Sequence, residues 1–142
     1  MSVALALYKG KGELANSLIR WKSKSIYSHC ELVVDGWMYS STVRDGGVRC
    51  KLASLPEDHW DIIQINWTNG EEILSYYSET KDNPYGWRDL IQSQIFNRPT
   101  GDDRGDFCSE WCAKALGIPD AQHYDPARLG ELVTWANSHL TK

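Results

Sequence analysis

Asp35-Gly36 stands between two strand-forming runs, His29 to Val34 and Trp37 to Val43. An Asp-Gly pair flanked by such runs favours a two-residue turn whose central residues both take positive φ. It predicts an antiparallel hairpin and sets the register: Val34 faces Trp37, Glu31 faces Ser40 and His29 faces Thr42. Side chains alternate along each strand. One face therefore carries His29, Glu31, Val33, Met38, Ser40 and Thr42, and the other Cys30, Leu32, Val34, Trp37, Tyr39 and Ser41. The second face is the more apolar and is expected to meet a core. The first gathers polar groups around the histidine.

Around this hairpin the chain reads as an α+β domain, a small antiparallel sheet packed against helices. Val3 to Tyr8 is a short apolar strand, Val48 to Leu52 pairs back on the sheet, and Trp60 to Trp67 is a further strand. Apolar spacing predicts helices over Glu13 to Lys22, Glu71 to Thr80 and Trp87 to Phe96. Asn97 to Asp106 reads as a polar loop, and a helix follows from about Cys108 to Leu116, stopped by Gly117 and Pro119. Asp125-Pro126 opens a last helix as N-cap and first residue, with Leu129, Leu132, Val133 and Ala136 as its apolar stripe. The 142 residues fit one domain spanning 1–142.

The balance of 15 Lys+Arg against 19 Asp+Glu leaves a net charge of −4, which argues against nucleic acid as a partner. The basic run Arg20 to Lys24 is expected to be a solvated helix end. Seven Trp and seven Tyr against two Phe favour a groove wall or an interface, where amphipathic rings fit. The apolar stretch Met1 to Leu7 is too short for a signal peptide or a transmembrane segment. The expected location is therefore cytoplasmic; a phage-encoded protein delivered by other means would read the same way.

Two residues carry candidate chemistry. Cys108 falls at the predicted start of a helix, where free backbone N–H groups and the helix dipole favour a thiolate. His29 opens a strand, placed to take the thiol proton. A third group should orient the imidazole, and both Glu31 and Ser40 share its face. Glu31 would add charge and Ser40 only a hydrogen bond. The oxyanion is expected to be met by the Cys108 backbone N–H and one more donor, Tyr27 or a loop amide. Glu110 reads as a dipole-stabilising acid in the first helical turn. His59, His123 and His139 lie in polar or terminal surroundings and look less constrained. Cys30 and Cys50 read as small buried apolar residues. A competing reading pairs Cys108 and Cys112, four residues apart, with Cys30 or His29 around zinc.

Tyr27-Ser28-His29 followed by Glu31 to Val34, Phe107-Cys108-Ser109-Glu110, and Pro84-Tyr85-Gly86-Trp87 together resemble the circularly permuted NlpC-type, papain-like cysteine enzymes. This branch includes the YiiX-like and YaeF-like bacterial proteins and, more distantly, lecithin retinol acyltransferase. In it the histidine strand precedes the cysteine helix. The resemblance runs from about Leu5 to Val133. It implies a papain-like domain and a cysteine hydrolase with Cys108 as nucleophile and His29 as base. No metal or organic cofactor is implied. The implied substrates are peptide amides, peptidoglycan stem peptides or lipid acyl groups. The family carries a carboxylate, histidine or amide on the strand after the hairpin, where this chain has Ser40 with Ser41 beside it. The alternative is a catalytically silent binding or virion-associated module of the same fold.

Overall fold

The computed structural model describes residues 1–9, 27–42, 47–82 and 104–140, with side chains in the last stretch described from Cys108 onward. The expected helices over 13–22 and 87–96 lie outside the described residues, as do the basic run at 20–24 and the segment at 84–87.

Five strands form one antiparallel sheet: β1 (Val3–Tyr8), β2 (His29–Val34), β3 (Trp37–Thr42), β4 (Gly47–Leu52) and β5 (Trp60–Gln64). Their order across the sheet is β4-β3-β2-β1-β5. Among the described residues three α-helices follow, α1 (Glu71–Asp82), α2 (Arg104–Ala115) and α3 (Pro126–His139), with a 3-10 turn at Ala121–His123 between the last two. The small α+β architecture expected from the pattern is the one observed.

The hairpin turn takes its expected form. Asp35 and Gly36 have φ of 48° and 85°, the left-handed pair that suits the twist of the flanking strands. Val34 pairs with Trp37, Val33 with Met38 and Leu32 with Tyr39. Ser2 brackets the turn, accepting from Asp35 N–H and donating its own N–H to the Asp35 carboxylate.

Val3, Leu5 and Leu7 of β1 pair with Val34, Leu32 and Cys30 of β2. All six are buried. They lie on the core face with Tyr39, against Trp111 and Cys112 of α2 and Leu129 and Val133 of α3. Trp37, at the turn, stays 46% exposed. Helix α3 comes so close to β1 that a Cβ on Gly130 would stand 2.8 Å from Leu7 Cδ1, so any larger residue there must push Leu7 out of place. Its N-cap is as expected: Asp125 Oδ1 accepts from Arg128 N–H at 2.8 Å, with Pro126 first in the helix.

Two boundaries differ from expectation. Strand β5 stops at Gln64 rather than Trp67. Its partner β1 begins at Val3, whose carbonyl takes the Ile65 N–H, and beyond that pair no strand remains to bond with. The chain turns instead to α3, where Asn137 binds the Gln64 carbonyl and Asn66. The second difference is larger. Helix α2 begins at Arg104, a full turn before Cys108.

Candidate active site

The opposite face of the sheet builds a row across four strands, polar on β2, β3 and β4. Ala6 pairs with Glu31, and Ser40 pairs with Arg49. The β2–β3 register, continued by one step, sets Glu31 beside Ser40. Ala6 and Ser40 are small. Arg49 therefore reaches over Ser40 to Glu31, and its guanidinium makes two parallel bonds, Nη1 to Oε1 and Nη2 to Oε2, both 2.6 Å. Glu31 is completely buried. A buried carboxylate demands such a partner, because the desolvated charge is otherwise far too costly.

The same carboxylate binds the imidazole of His29, two residues earlier on the same face, through Nε2. The imidazole and the Cys108 sulfur also lie near enough for the charge on each to favour the charged form of the other. Arg49, Glu31 and His29 thus stand in contact order, and the Cys108 sulfur lies within electrostatic reach of the imidazole. Burial alone would pull the His29 pKa down, but the Cys108 and Glu31 charges together lift it to about 10. Burial alone would raise the Cys108 thiol; hydrogen bonds from Cys30 and the imidazolium beside it bring it down to about 5. Burial also works against ionised Glu31, yet His29 and Arg49 hold its pKa below the usual value.

The backbone explains why the cysteine sits there. Asp35 N–H bonds to Ser2 across β1–β2, and alternation then points the N–H and C=O of Cys30 the other way, toward β3. The β2–β3 pairing ends at Leu32 and Tyr39. Beyond it, Cys30 N–H donates to Cys108 Sγ at 3.4 Å, and Cys30 C=O accepts from the Ser40 hydroxyl at 3.0 Å. Two side chains therefore replace the missing ladder bonds, as buried backbone groups require. The cysteine sulfurs cluster at this opening, Cys30 to Cys108 at 3.7 Å and Cys30 to Cys112 at 3.9 Å.

Of the four residues singled out from the sequence, His29, Cys108 and Glu31 come together. The Ser40 hydroxyl binds the Cys30 carbonyl, whereas Glu31 makes the hydrogen bond to the imidazole. The reason lies in length. A serine one strand away from the Glu31–His29 edge reaches only the backbone of the neighbouring strand.

The helix start revises three further expectations. Cys108 is the fifth residue of α2, past the first turn where free N–H groups and the dipole are strongest. Its thiolate is favoured by His29 and Cys30 rather than by a helix end. In a regular helix the Cys108 N–H is directed at the Arg104 carbonyl, so it is not a free oxyanion donor. Glu110 lies in the second turn, paired with Lys114 at 3.3 Å rather than with the helix N-terminus.

Tyr27 is likewise committed, donating its hydroxyl to Asp61, which also binds Lys9 at 2.7 Å. Burial and that carboxylate push the Tyr27 pKa up to about 12. The nearby Ser28 hydroxyl is buried without a hydrogen-bond partner. Trp60 stands edge-on to His29, with ring centroids 6.4 Å apart, and Tyr8 packs on Trp60 at 5.1 Å.

Arg49 and Ser28 stand at the site with no role assigned from the sequence, and Cys30, expected as a small buried apolar residue or a zinc ligand, stands with them. Arg49 was within the sequence's reach, since a strand over Val48 to Leu52 that pairs back on the sheet can bring it beside Ser40. Among the described residues no group of three or more His, Cys, Asp or Glu side chains is arranged to hold a metal ion. Nor is any described helix long and apolar enough to cross a membrane. Comparison with protein-family models, with characterised proteins and with solved structures returned no match for this chain.

Proposed function

We propose that this chain is a cysteine-dependent hydrolase of permuted papain-like type, cleaving an amide or ester through Cys108 and His29. One observation carries the reading: a single imidazole, bonded to a buried carboxylate, stands where its charge favours the Cys108 thiolate. With Nε2 taken by Glu31, the other ring nitrogen exchanges the proton with sulfur. Nucleophile, base and orienting group then stand in the order that thiol catalysis needs.

In this reaction the Cys108 thiolate attacks the acyl carbon and the imidazolium protonates the leaving amine or alcohol. Water, activated by the now neutral imidazole, releases the acid and restores the thiol. Ser28, the unpartnered buried hydroxyl, supplies a donor to the oxyanion. The substrate class follows from the resemblance: a peptide, peptidoglycan stem or lipid-acyl bond. Cys108 is wholly buried, so the cover over the sulfur has to move aside during turnover.

The test is labelling by electrophilic acyl probes of the wild type and Cys108→Ala. The wild type is expected to form a thioacyl adduct at Cys108, and the variant none. Equal labelling of the two removes the assignment. The burial of Cys108 and the engagement of its N–H within α2 favour a second reading, a silent binding or virion-associated module. That reading predicts no adduct, together with slow alkylation of Cys108 and an ordinary thiol pH profile.

A further inference from the structure

Hydrolysis uses one sulfur, yet the site holds a second in contact with it. Cys30 Sγ stands 3.7 Å from Cys108 Sγ. Both residues are completely buried, and all four cysteines are free thiols. Cys30 N–H also donates to the Cys108 sulfur, which fixes that sulfur against the start of β2. A disulfide needs a separation of about 2.05 Å, so the two atoms must close by about 1.7 Å, within the reach of side-chain rotation at the open end of the β2–β3 pairing.

We propose that Cys108 and Cys30 form a peroxide-reactive dithiol, in which a hydroperoxide converts the nucleophile and its neighbour into an intramolecular disulfide. The roles of the two sulfurs follow from their surroundings. Cys108 faces the imidazolium and carries the charge, so it attacks first. Burial, and the neighbouring Cys108 and Cys112 sulfurs, hold Cys30 in its protonated form, so it serves as the resolving thiol. Cys112 is a poorer partner for this step. It sits at 3.9 Å from Cys30 and on the same helix as Cys108, one turn on.

In the first step the Cys108 thiolate attacks the distal peroxide oxygen. An S–O bond forms and the O–O bond breaks. The leaving oxygen takes a proton from the His29 imidazolium and departs as water or an alcohol. Sulfur is oxidised by two electrons to the sulfenic acid and the peroxide is reduced. In the second step Cys30 sulfur attacks Cys108 sulfur. The S–S bond forms, the S–O bond breaks, and the Cys30 proton joins the departing hydroxide as water. A peroxide is small enough to reach a sulfur that larger oxidants cannot. His29, the proton donor in the first step, keeps 24% of its side chain exposed. The disulfide removes the nucleophile until a thiol reductant restores it.

The test maps the bond in the wild-type protein. After hydrogen peroxide, free thiols are capped and the chain is digested with trypsin and a Glu-specific protease. Cleavage after Glu110 separates Cys108 from Cys112. The expected product joins the Cys30 and Cys108 peptides, two hydrogens lighter than their sum, and disappears on reduction with dithiothreitol. In Cys30→Ala, Cys108 should instead gain two oxygens and stay oxidised. A bridge from Cys30 to Cys112, direct conversion of wild-type Cys108 to the sulfinic acid, or four free thiols after treatment would each overturn the proposal. The mapping requires no substrate, so absence of hydrolase activity leaves it intact, and an active hydrolase lacking the bridge would sink this inference alone.

Discussion

Arg49 grips both carboxylate oxygens of Glu31 from two strands away, at 2.6 Å each, and Ser40 is the small residue beneath the span. Removing one member of such a buried pair strands a charge in low dielectric and typically costs about 3–5 kcal/mol. Arg49→Met and Glu31→Gln are therefore each expected to lower the urea midpoint strongly. The double variant should lose less than the sum of the singles, because neither charge is then left alone. Strict additivity in urea titrations would show that the two groups do not act as a pair.

Glu31 and Ser40 make opposite predictions for turnover. Ser40→Ala removes one neutral hydrogen bond to the Cys30 carbonyl, a stability loss of about 1 kcal/mol, and leaves His29 held. Glu31→Gln removes the charge that keeps the imidazole protonated and aligned, and is expected to slow acyl transfer by about 100-fold or more. Rates for both variants on one acyl substrate distinguish the roles. A larger loss in Ser40→Ala would return the orienting function to the serine.

Alkylation of Cys108 by iodoacetamide should rise with pH through about 5 rather than near the usual 9.0. A second step is expected near pH 10, where the imidazolium loses its proton. These are properties of the coupled pair. His29→Ala should carry the first step back up toward an ordinary thiol. The same shifts set the stability profile. The lowered Cys108 and Glu31 pKa values contribute stability that is lost as pH falls through their folded values. The raised His29 pKa contributes stability that is lost as pH rises through about 10. The two opposing slopes cancel between about pH 6.5 and 9.0, so urea midpoints should fall as pH drops from about 6.5 toward 5 and as it rises from about 9.0 toward 10. A profile with no fall at either end, from about pH 5 to about pH 10, would contradict the ion pair.

Ser28 carries a buried hydroxyl with no partner, and an unmet buried donor of this kind costs about 1–3 kcal/mol. Ser28→Ala is expected to raise the thermal midpoint while lowering turnover, the pairing of effects that marks a group kept for chemistry. A variant that is both less stable and fully active would assign the hydroxyl to folding instead.

The hairpin was legible because its information is local. Asp35-Gly36 selects the turn, the turn selects the register, and alternation places His29 with Glu31. The N-cap at Asp125 and the apolar stripe of α3 were legible for the same reason. The start of α2 was not. The stretch before Cys108 is polar and contains Gly101 and Gly105, so local propensity marks a loop, yet α2 extends back to Arg104. The end of β5 was also hidden, since a strand stops where its partner does, and β1 lies some fifty residues earlier in the chain.

Residue pattern alone specifies a five-strand-compatible α+β chain, the hairpin register, and a histidine beside a glutamate, because turns and strand periodicity act over a few residues. Tertiary contact decides the rest: that Arg49 arrives over Ser40, that Cys108 fills the gap where β3 leaves β2, and that Cys30 shares its sulfur contact. Those meetings depend on how distant segments pack and on where a buried charge finds its partner, and no local preference encodes either.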